Sequence, residues 1–480
     1  MATNYTTPGV YIEEIPILPR SVAQVATAIP AFIGYTEKAV DFNGVSLRNK
    51  PTRITSLLEY EGFFGKAQPE DNLEVTFNET QNSANVTIAE TIAVAFNGSA
   101  SLHNLYYALE AYFANEGGPC YIVSIGDYKA LGTALVETEF NTGLEAVAKE
   151  DEPTLIVAPE AQNLTEAQHH ALMVSALNQC GKLQDRFTIM DVHDTGATLV
   201  TSGQVNTAAT AFRGGVAPTN PLNLKYGAAY FPNLKSLFPF AYSEAQINVI
   251  HQVNGADGPL NNQNLGALNG ANTAAYNKLK KSVEAFTVIL PPSPFVAGAY
   301  CSVDAARGVW KAPANVPLAK VIAPVFKVTD EMQGTLNVDP VSGKSINVIR
   351  TFTGRGTVVW GARTLAGNDN EWRYVNVRRL FNMVEESCKR ATEPFVFEPN
   401  DATTWVKVQA MCENFLTTLW RQGALQGAKP EHAFYVSVGL GKTMSALDIL
   451  EGRMIVEIGM AAVRPAEFII LRFMHKLPES

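Results

Sequence analysis

The GLGKT segment at residues 439–443 has the residue types of a phosphate-binding loop, in which backbone amides and a lysine hold a nucleotide phosphate. A Walker A loop carries another glycine five residues before the glycine of its Gly-Lys pair. This chain has Val436 at that position. A helix should follow the loop, but only residues 444–450 separate it from Gly452. The segment therefore indicates a turn between strands, and nucleotide binding is the less favoured interpretation.

A second group with chemical potential stands at the end of a predicted strand, where α/β proteins often bind ligands. Asp191, His193 and Asp194 are metal-capable residue types, and His169 and His170 are candidates to join them. The histidines show no His-x-x-x-His spacing, and no Gly-x-Ser-x-Gly nucleophile motif occurs. A strand-end turn with solvent-exposed polar side chains is therefore favoured over a metal site. We expect no catalytic residue, no metal and no cofactor, so the chain is not expected to be an enzyme.

The cysteines are odd in number and never stand in a Cys-x-x-Cys spacing. They are Cys120, Cys180, Cys301, Cys388 and Cys412. This pattern argues against a zinc site or a disulfide framework and favours free thiols in a reducing compartment.

Charge is unevenly distributed along the 480 residues. Of the 37 Lys and Arg and the 46 Asp and Glu, 21 and 18 lie in residues 301–480, which leaves 16 and 28 in residues 1–300. An acidic first part would repel phosphate, so we expect no nucleic-acid partner. Charged residues make up 17 % of the chain, below the ~25 % of a typical soluble domain. A low charged fraction is expected for a protein whose surface is buried in an assembly, and equally for a monomer with a large core.

Targeting and membrane signals are also missing from the sequence. No apolar run approaches the ~20 residues that a membrane-spanning helix needs, and we expect no insertion into a membrane. The N-terminal sequence MATNYTTPGVYIEEIP lacks the basic and apolar regions of a signal peptide. Synthesis in the cytoplasm is therefore expected.

Strands and helices alternate through the first two-thirds of the chain. Short apolar runs predict the strands, and helical spacing, with a capping box at Thr165 and Gln168, predicts the helices. The predicted strands are 28–35, 121–125, 154–158, 187–191 and 224–232, and the predicted helices are 55–64, 102–115, 165–180 and 296–307. This alternation predicts an α/β fold with a largely parallel sheet.

Other stretches interrupt that pattern. Residues 67–100 hold short apolar runs separated by turn residues, which predicts a β-rich insertion. Residues 231–240 are predicted to form an apolar loop, and the prolines at 291–294 predict a boundary. Residues 345–359 predict a strand, a turn and a second strand.

The last third predicts a second compact α/β unit, so that the whole chain is α+β. Two apolar stripes at helical spacing predict two helices, and Arg378 and Arg379 fall outside the first stripe. The stripes are Val377, Leu380, Phe381, Val384 and Cys388, then Trp405, Val408, Cys412, Phe415, Leu416 and Leu419. Two short apolar runs, Met454–Met460 and Phe468–Phe473, predict buried strands.

The first twenty residues are punctuated by Pro8, Pro16 and Pro19. Between them lies a short extended run that is too short for a stable unit of its own. Its residues are Val10, Tyr11, Ile12, Glu13, Glu14 and Ile15. It is either a frayed terminus or edge strand of its own domain, or an arm that adds as a strand to another subunit's sheet.

Several long motifs resemble those of contractile tail sheath proteins, the family of bacteriophage tail sheaths, contractile pyocins and phage-tail-like injection systems. They include PPSPFVAGAYCSVDAARGVWKAPAN, VIRTFTGRGTVVWGARTLAG, EWRYVNVRRLFNMVEES, FVFEPNDATTW, LWRQGALQGAKPEHAFYV and RPAEFIILRF. Together they cover most of residues 288–480, in the order that the family has them. TPGVYIEEIP and AIPAFIGYTEKA at the start also resemble this family. The GLGKT turn departs from the family's usual pattern.

The resemblance implies a structural subunit that forms stacked hexameric rings around an inner tube protein, with baseplate and terminal cap proteins at the ends. Such a sheath contracts and drives the tube through a target cell envelope. The implied organisation is an N-terminal arm at 1–22, outer parts at 23–349, a tube-facing inner domain at 350–470 and a C-terminal arm at 471–480. The inner domain is completed by the N-terminal arm.

The resemblance also implies site residues. Val10–Ile15 would be an inter-subunit arm, and the strand that accepts arms would be Phe468, Ile469, Ile470, Leu471, Arg472 and Phe473. Tube contact would involve Lys407 and Arg421, which project from the second helix against a single acid, Glu413. An ordinary solvated helix face is the alternative for this pair.

Other functions stay open at this point. A different tail or baseplate component would share these partners, and an α/β enzyme would need a site that the sequence does not reveal. The sequence does not distinguish a phage from a bacteriocin or an injection system. Nor does it tell whether the assembled particle is released from the cell.

Overall fold

The computed structural model describes residues 22–193 and 201–472. The strands are β1 (Pro30–Thr36), β2 (Thr52–Ile54), β3 (Leu73–Gln81), β4 (Thr87–Phe96), β5 (Cys120–Asp127), β6 (Leu155–Val157), β7 (Phe187–Asp191), β8 (Gly227–Phe231), β9 (Leu234–Pro239), β10 (Asn248–Val253), β11 (Ala256–Asp257), β12 (Gln263–Asn264), β13 (Thr287–Leu290), β14 (Val316–Pro317), β15 (Val321–Pro324), β16 (Ile346–Phe352), β17 (Gly356–Val359), β18 (Phe434–Val438) and β19 (Val456–Met460).

Helices alternate with these strands. They are α1 (Leu57–Phe64), α2 (Leu105–Ala114), α3 (Glu137–Val147), α4 (Glu166–Leu183), α5 (Ser202–Gly215), α6 (Leu265–Ala271), α7 (Thr273–Glu284), α8 (Ser293–Arg307), α9 (Asp330–Asn337), α10 (Val375–Thr392), α11 (Ala402–Arg421), α12 (Pro430–Ala433) and α13 (Ala446–Leu450). Short 3₁₀ turns lie at Pro159–Asn163, Pro221–Tyr226 and Glu393–Phe395.

A nine-stranded sheet runs through the larger part of the chain, in the order β14-β17-β16-β8-β7-β6-β1-β5-β2. Neighbours from β5 to β16 pair in parallel, whereas β2, β17 and β14 add antiparallel edges. The predicted α/β fold with a largely parallel sheet is confirmed. The capping box of α4 is confirmed as well, because the Thr165 hydroxyl and the Gln168 side chain each bond the other residue's backbone.

Both faces of this sheet are apolar. Successive side chains of a strand point to opposite faces, so a strand whose consecutive residues are apolar contributes to a core on each face. In β1, Ala31 and Ile33 join one buried cluster, which α3, α4 and α5 complete. Phe32, between them, joins the cluster on the other face, which α1, α2 and α8 complete. The continuous apolar runs that predicted these strands are therefore the expected signature of a sheet that helices cover on both sides.

The predicted β-rich insertion at 67–100 forms β3 and β4, but it is only half of a sheet. Strand β10 pairs in parallel with β3, and β11 and β12 pair with β10. Helices α6 and α7 cover the sheet and supply Leu265, Leu268, Tyr276 and Leu279 to a separate core. The second half comes from a stretch whose Ala, Asn and Gly content concealed its pattern.

Two predictions in the middle of the chain are wrong. Residues 231–240 form β9 rather than a loop, with buried Leu234, Ser236 and Phe238 alternating with exposed residues. A buried serine and the exposed Leu237 disguised that alternation. The prolines at 291–294 mark no boundary, since they precede and open α8, where a missing amide proton costs nothing.

The chain divides into two compact units. Of the described residues, the large unit holds those within 26–382 and 464–472, and the small unit holds 22–25 and 383–463. The division falls within α10. The predicted outer and tube-facing domains, with their bound at 349/350, remain predictions.

The small unit is built from the end of α10, α11 and a two-stranded sheet. Strands β18 and β19 pair antiparallel, from Phe434 opposite Met460 to Val438 opposite Val456. Helix α11 begins at an N-cap, Asp401, whose carboxylate accepts a hydrogen bond from the Thr404 amide. Its apolar stripe packs toward β18, as the helical spacing predicts.

The two arginines outside the apolar stripe of α10 are nevertheless buried in the large unit. Arg379 forms a bidentate ion pair with Asp304 of α8, at 2.5 and 3.1 Å. It also donates to the Thr27 carbonyl at 2.9 Å and stacks on the Tyr300 ring. Arg378 donates through Nε to the Asn382 side chain at 2.7 Å and stacks on the rings of Tyr226 and Trp372. A guanidinium packs in a core when its charge is paired and its plane is stacked.

We predict that Arg379→Met destabilises the large unit by about 3–5 kcal/mol, because Asp304 then stays buried without its partner. Thermal or urea denaturation followed by circular dichroism measures this. The double variant Arg379→Met with Asp304→Leu should lose less than the single variant, since no charge is left unpaired. A double variant as unstable as the single one would contradict the prediction.

Candidate functional site

The GLGKT segment forms a closed turn after β18 whose backbone donors are already used. The amide of Gly441 donates to the Met444 carbonyl, and the amides of Lys442 and Thr443 donate to the Gly439 carbonyl. The Thr443 hydroxyl donates to the Ile455 carbonyl at 2.7 Å. The α13 helix that follows has five residues. A phosphate-binding loop offers its amides to the ligand, so this geometry favours the predicted turn.

The three histidines of the second candidate group come together inside the large unit. The ring of His169 lies 5.3 Å from that of His193 and 5.7 Å from that of His170, centroid to centroid. His193 bonds the Leu164 carbonyl at 3.0 Å through Nε2. The expected solvent-exposed turn is wrong, because all three histidines and Asp191 are buried. Asp194 lies outside the described residues.

Asp191 does not face a metal position but fixes the start of α8. Its carboxylate accepts hydrogen bonds from the amide and the hydroxyl of Ser293, at 2.8 and 2.6 Å. Burial raises the pKa of Asp191 to about 7, although both bonds to Ser293 act to lower it. No group of three metal-ligating side chains with suitable geometry occurs within residues 22–193 and 201–472.

The segment 468–473, predicted as a buried strand, is the largest departure from the sequence analysis. Residues 468–472 form no strand, and Phe473 lies outside the described residues. Phe468, Ile469, Ile470 and Leu471 are 70, 79, 78 and 73 % exposed. A strand with apolar side chains on both faces needs sheet neighbours and covering layers. Among residues 22–193 and 201–472 this segment has neither, which explains why the predicted burial does not occur.

Among the described residues, no third strand pairs with the small unit's β18–β19 sheet. Beyond the two strands the backbone pairing continues, since Ala461 donates to the Ala433 carbonyl, Gln426 donates to the Ala461 carbonyl and Val463 donates to the Ala424 carbonyl. A two-stranded sheet is marginal alone and is stabilised by further strands. Tyr435 of β18 lies across Gly459 of β19, where a larger residue would collide with the tyrosine ring.

Helix α11 presents the predicted basic residues to solvent. Lys407 and Arg421 are exposed, and within the described part of the chain neither forms an ion pair. They are fourteen residues apart, so four helical turns place them on one face about 21 Å from each other. The acid of this helix, Glu413, accepts a bond from Gln409 at 2.8 Å.

The predicted N-terminal arm, Val10–Ile15, lies outside the described residues. The described chain begins just after it, and the Val25 amide donates to the Ser387 hydroxyl of α10 at 3.1 Å. All five cysteines are free and buried, as predicted.

Sequence reasoning missed Glu467, which holds the chain immediately before the exposed apolar segment. Its carboxylate is bonded by Arg363, which lies 104 residues earlier. The only signal in the sequence is one acid inside an otherwise apolar closing run, and that signal does not identify a partner.

The C-terminal part of the chain matches a known family model, described as the phage tail sheath C-terminal domain, over residues 367–475. The tail sheath protein of Enterobacteria phage T4 is 28 % identical over 115 residues, which are 24 % of this chain and 17 % of that protein. This chain thus spans less than a fifth of the length of that relative.

Two solved structures are similar over nearly the whole chain. One is the PVC sheath complex of an extracellular contractile injection system in its contracted state, with 33 % identity, a TM-score of 0.64 and 99 % of both chains covered. The other is the anti-feeding prophage helical sheath in its contracted state, with 31 % identity, a TM-score of 0.63 and coverage of 98 % and 100 %. The similarity therefore extends well beyond the C-terminal part. Among the described residues, no helix is long and apolar enough to cross a membrane.

We predict that the buried histidines make the large unit sensitive to acid. Burial, and then the neighbouring His193 and His170, hold the pKa of His169 well below its ordinary value. The folded state keeps this ring neutral, whereas the unfolded chain takes up a proton below pH ~6.5. Stability is therefore complete above that pH and is lost as the pH falls, by ~1.4 kcal/mol per pH unit.

The variant His169→Gln should remove about 2 kcal/mol of the stability change between pH 7 and pH 5, measured by urea unfolding at both values. The comparison with wild type is the readout, because Asp191 has a raised pKa and contributes with the opposite sign. The exposed His432→Gln is the control. Equal pH dependence in His169→Gln and wild type would rule the idea out.

Proposed function

Because this chain belongs to the family of contractile tail sheath proteins, we propose that it polymerises as stacked hexameric rings around an inner tube protein. Contraction of the polymer then drives the tube through a target cell envelope. The chain acts as a structural component rather than as an enzyme. The observation that carries the proposal is the apolar segment at residues 468–471, all four of whose side chains are exposed.

This segment supports a joint between copies by strand addition. Main-chain hydrogen bonds provide affinity in that mode, and alternate side chains provide specificity. The β18–β19 sheet has no third strand among the described residues, so it offers a place for strands from other copies. We therefore revise the role of residues 468–473: they are a segment that pairs with a neighbour, and the small unit's sheet accepts it. Val10–Ile15 is the second arm of this joint.

A strand-exchange joint suits a polymer that must change shape without coming apart. Its hydrogen bonds depend on the two paired backbones and not on the orientation of the bodies they connect. Chain segments beside the joint absorb the change in angle, as hinges do in domain motions. No cofactor is required, because the free energy for contraction is stored when the extended polymer assembles.

Contact with the tube is assigned to α11 through Lys407 and Arg421. Their shared exposed face suits an acidic tube surface. Single exposed ion pairs contribute only ~0.2–1 kcal/mol, so contact arises from repetition along the polymer and is easily broken when the sheath contracts. Baseplate and terminal cap proteins are the further partners, and the assembled particle acts outside the cell that makes it.

The first test is deletion of residues 2–20. We expect a folded monomer with an unchanged circular-dichroism melt that forms no sheaths, because one arm of the joint is missing. Negative-stain electron microscopy of the purified wild-type chain should show long striated or cogwheel-like tubes. Full-length sheaths formed by the deletion variant would refute the role of the arm.

The second test reverses both charges on the helix, Lys407→Glu with Arg421→Glu. We expect several-fold fewer tube-filled particles when the variant is assembled with the tube protein, because repulsion replaces attraction at every subunit. The matched control is Lys429→Glu with Lys442→Glu, which makes the same charge change at exposed positions outside α11. Normal tube-filled particles from the α11 variant would contradict the assignment.

A further inference from the structure

Glu467 accepts hydrogen bonds from three side chains of the large unit, whereas the described residues that follow it are exposed. Arg363 donates through Nε to both carboxylate oxygens, at 2.9 and 3.1 Å, and through Nη2 to Oε2 at 2.7 Å. Asn337 donates to Oε1 at 2.7 Å, and the Tyr374 hydroxyl donates to Oε2 at 3.1 Å. We call these residues the Glu467 clamp.

The donors of the clamp are built into the large unit before the last segment arrives. The backbone of Arg363 is fixed by the buried Asn347, which accepts from its amide and donates to its carbonyl at 2.8 Å each. Arg363 also forms a β-bridge with Tyr374. The Ser345 hydroxyl donates to the Asn337 carbonyl at 2.6 Å. The donors are therefore positioned by their own neighbours, so that little ordering remains when Glu467 binds.

The two members of the ion pair differ in their exposure to solvent. The Arg363 side chain is 5 % exposed and that of Glu467 is 21 % exposed. Burial acts to raise the pKa of Glu467, but the hydrogen bonds from Arg363 and Asn337 outweigh it and hold the pKa below its ordinary value. The carboxylate therefore stays ionised in mildly acidic solution, and charge-assisted, bidentate contacts of this kind are the strong ones.

The burial of the chain changes at Glu467. Pro465 and Glu467 are half-buried, while Arg464 and Ala466 between and beside them are exposed. From Phe468 onward every described side chain is exposed. Among the described residues, burial against the large unit thus ends at Glu467, and the exposed apolar segment starts at Phe468.

We propose that Glu467 is a positioning residue that fixes the point from which the apolar segment 468–472 leaves the large unit to pair with a neighbouring copy. This inference rests on the proposed function. A fixed origin limits the positions that the segment samples and sets which residues meet the accepting strand. A slip of one residue would turn every side chain to the opposite face. Tension between copies enters the large unit through the Arg363–Glu467 pair.

The first experiment measures the fastening in the unassembled chain. Glu467→Gln keeps the shape but removes the charge, and hydrogen bonds to a charged group contribute ~1.5–3 kcal/mol. Chymotryptic cleavage after Phe468, followed by mass spectrometry, should become at least ~10-fold faster. The digestion is run well below the melting temperature, so that cleavage reports the segment and not unfolding of the large unit, which loses some stability when the buried Arg363 is unpaired. Glu331→Gln, at an exposed position of the same α9 that carries Asn337, is the matched control and should cleave like wild type.

A double variant shows whether the effect passes through the ion pair. Arg363→Gln should accelerate cleavage to a similar extent, and Arg363→Gln with Glu467→Gln should add little to either single variant, because both remove the same contact. Effects that multiply in the double variant, or a cleavage rate of Glu467→Gln equal to wild type, would overturn the proposal.

Assembly separates this inference from the function on which it rests. Deletion of residues 468–480 should abolish sheath formation, and Glu467→Gln should shorten sheaths or raise the protein concentration needed for them several-fold. If the deletion variant still forms sheaths, strand exchange through this segment is wrong. If the deletion abolishes sheaths while Glu467→Gln assembles like wild type, strand exchange stands and the positioning role of Glu467 is wrong.

Discussion

Backbone amide and carbonyl groups must find hydrogen-bond partners, and this requirement shapes the molecule more than any side-chain chemistry. In the large unit the requirement is met by nine strands whose central members are covered by helices on both faces. The small unit and the segment after Glu467 meet it only in part. Within the described chain, the first is a sheet of two strands with no third strand on either edge, and the second has no strand partner. The proposed strand exchange between copies would supply what each lacks.

Ion pairs that contain a buried arginine hold two chain segments in place on the large unit. Arg379 ties α10 to Asp304 and to the backbone of Thr27, near the start of the described chain. Arg363 ties the last described segment through Glu467. Apolar packing alone would hold these segments without fixing one register, because it is non-directional. Bidentate guanidinium–carboxylate pairs are directional and fix a single arrangement.

Sequence reasoning succeeded where the residues of one segment determine its secondary structure. The apolar runs of β1 and β5 and the capping box of α4 are local signals, and each led to the correct element. It failed where the burial or exposure of a residue depends on contacts outside its own segment. Ile469 and Ile470 are exposed because no strand pairs with them among the described residues, and the burial of Arg378 depends on the ring of Tyr226, which is far away in the sequence. Likewise the clamp joins Glu467 to Asn337 across 130 residues, and no local pattern encodes that pairing.

The β3–β4 hairpin has a consequence beyond assembly. Its tip is narrow: the amide of Asn82 donates to the Val86 carbonyl at 3.0 Å, and the residues between them are exposed. A foreign peptide inserted there would leave and re-enter the sheet at one point, so the core formed with α6 and α7 would not have to open. Hairpin tips of this kind tolerate insertions best. The chain thus contains a natural display position, and a polymer of it would present the inserted peptide at the regular spacing of its subunits.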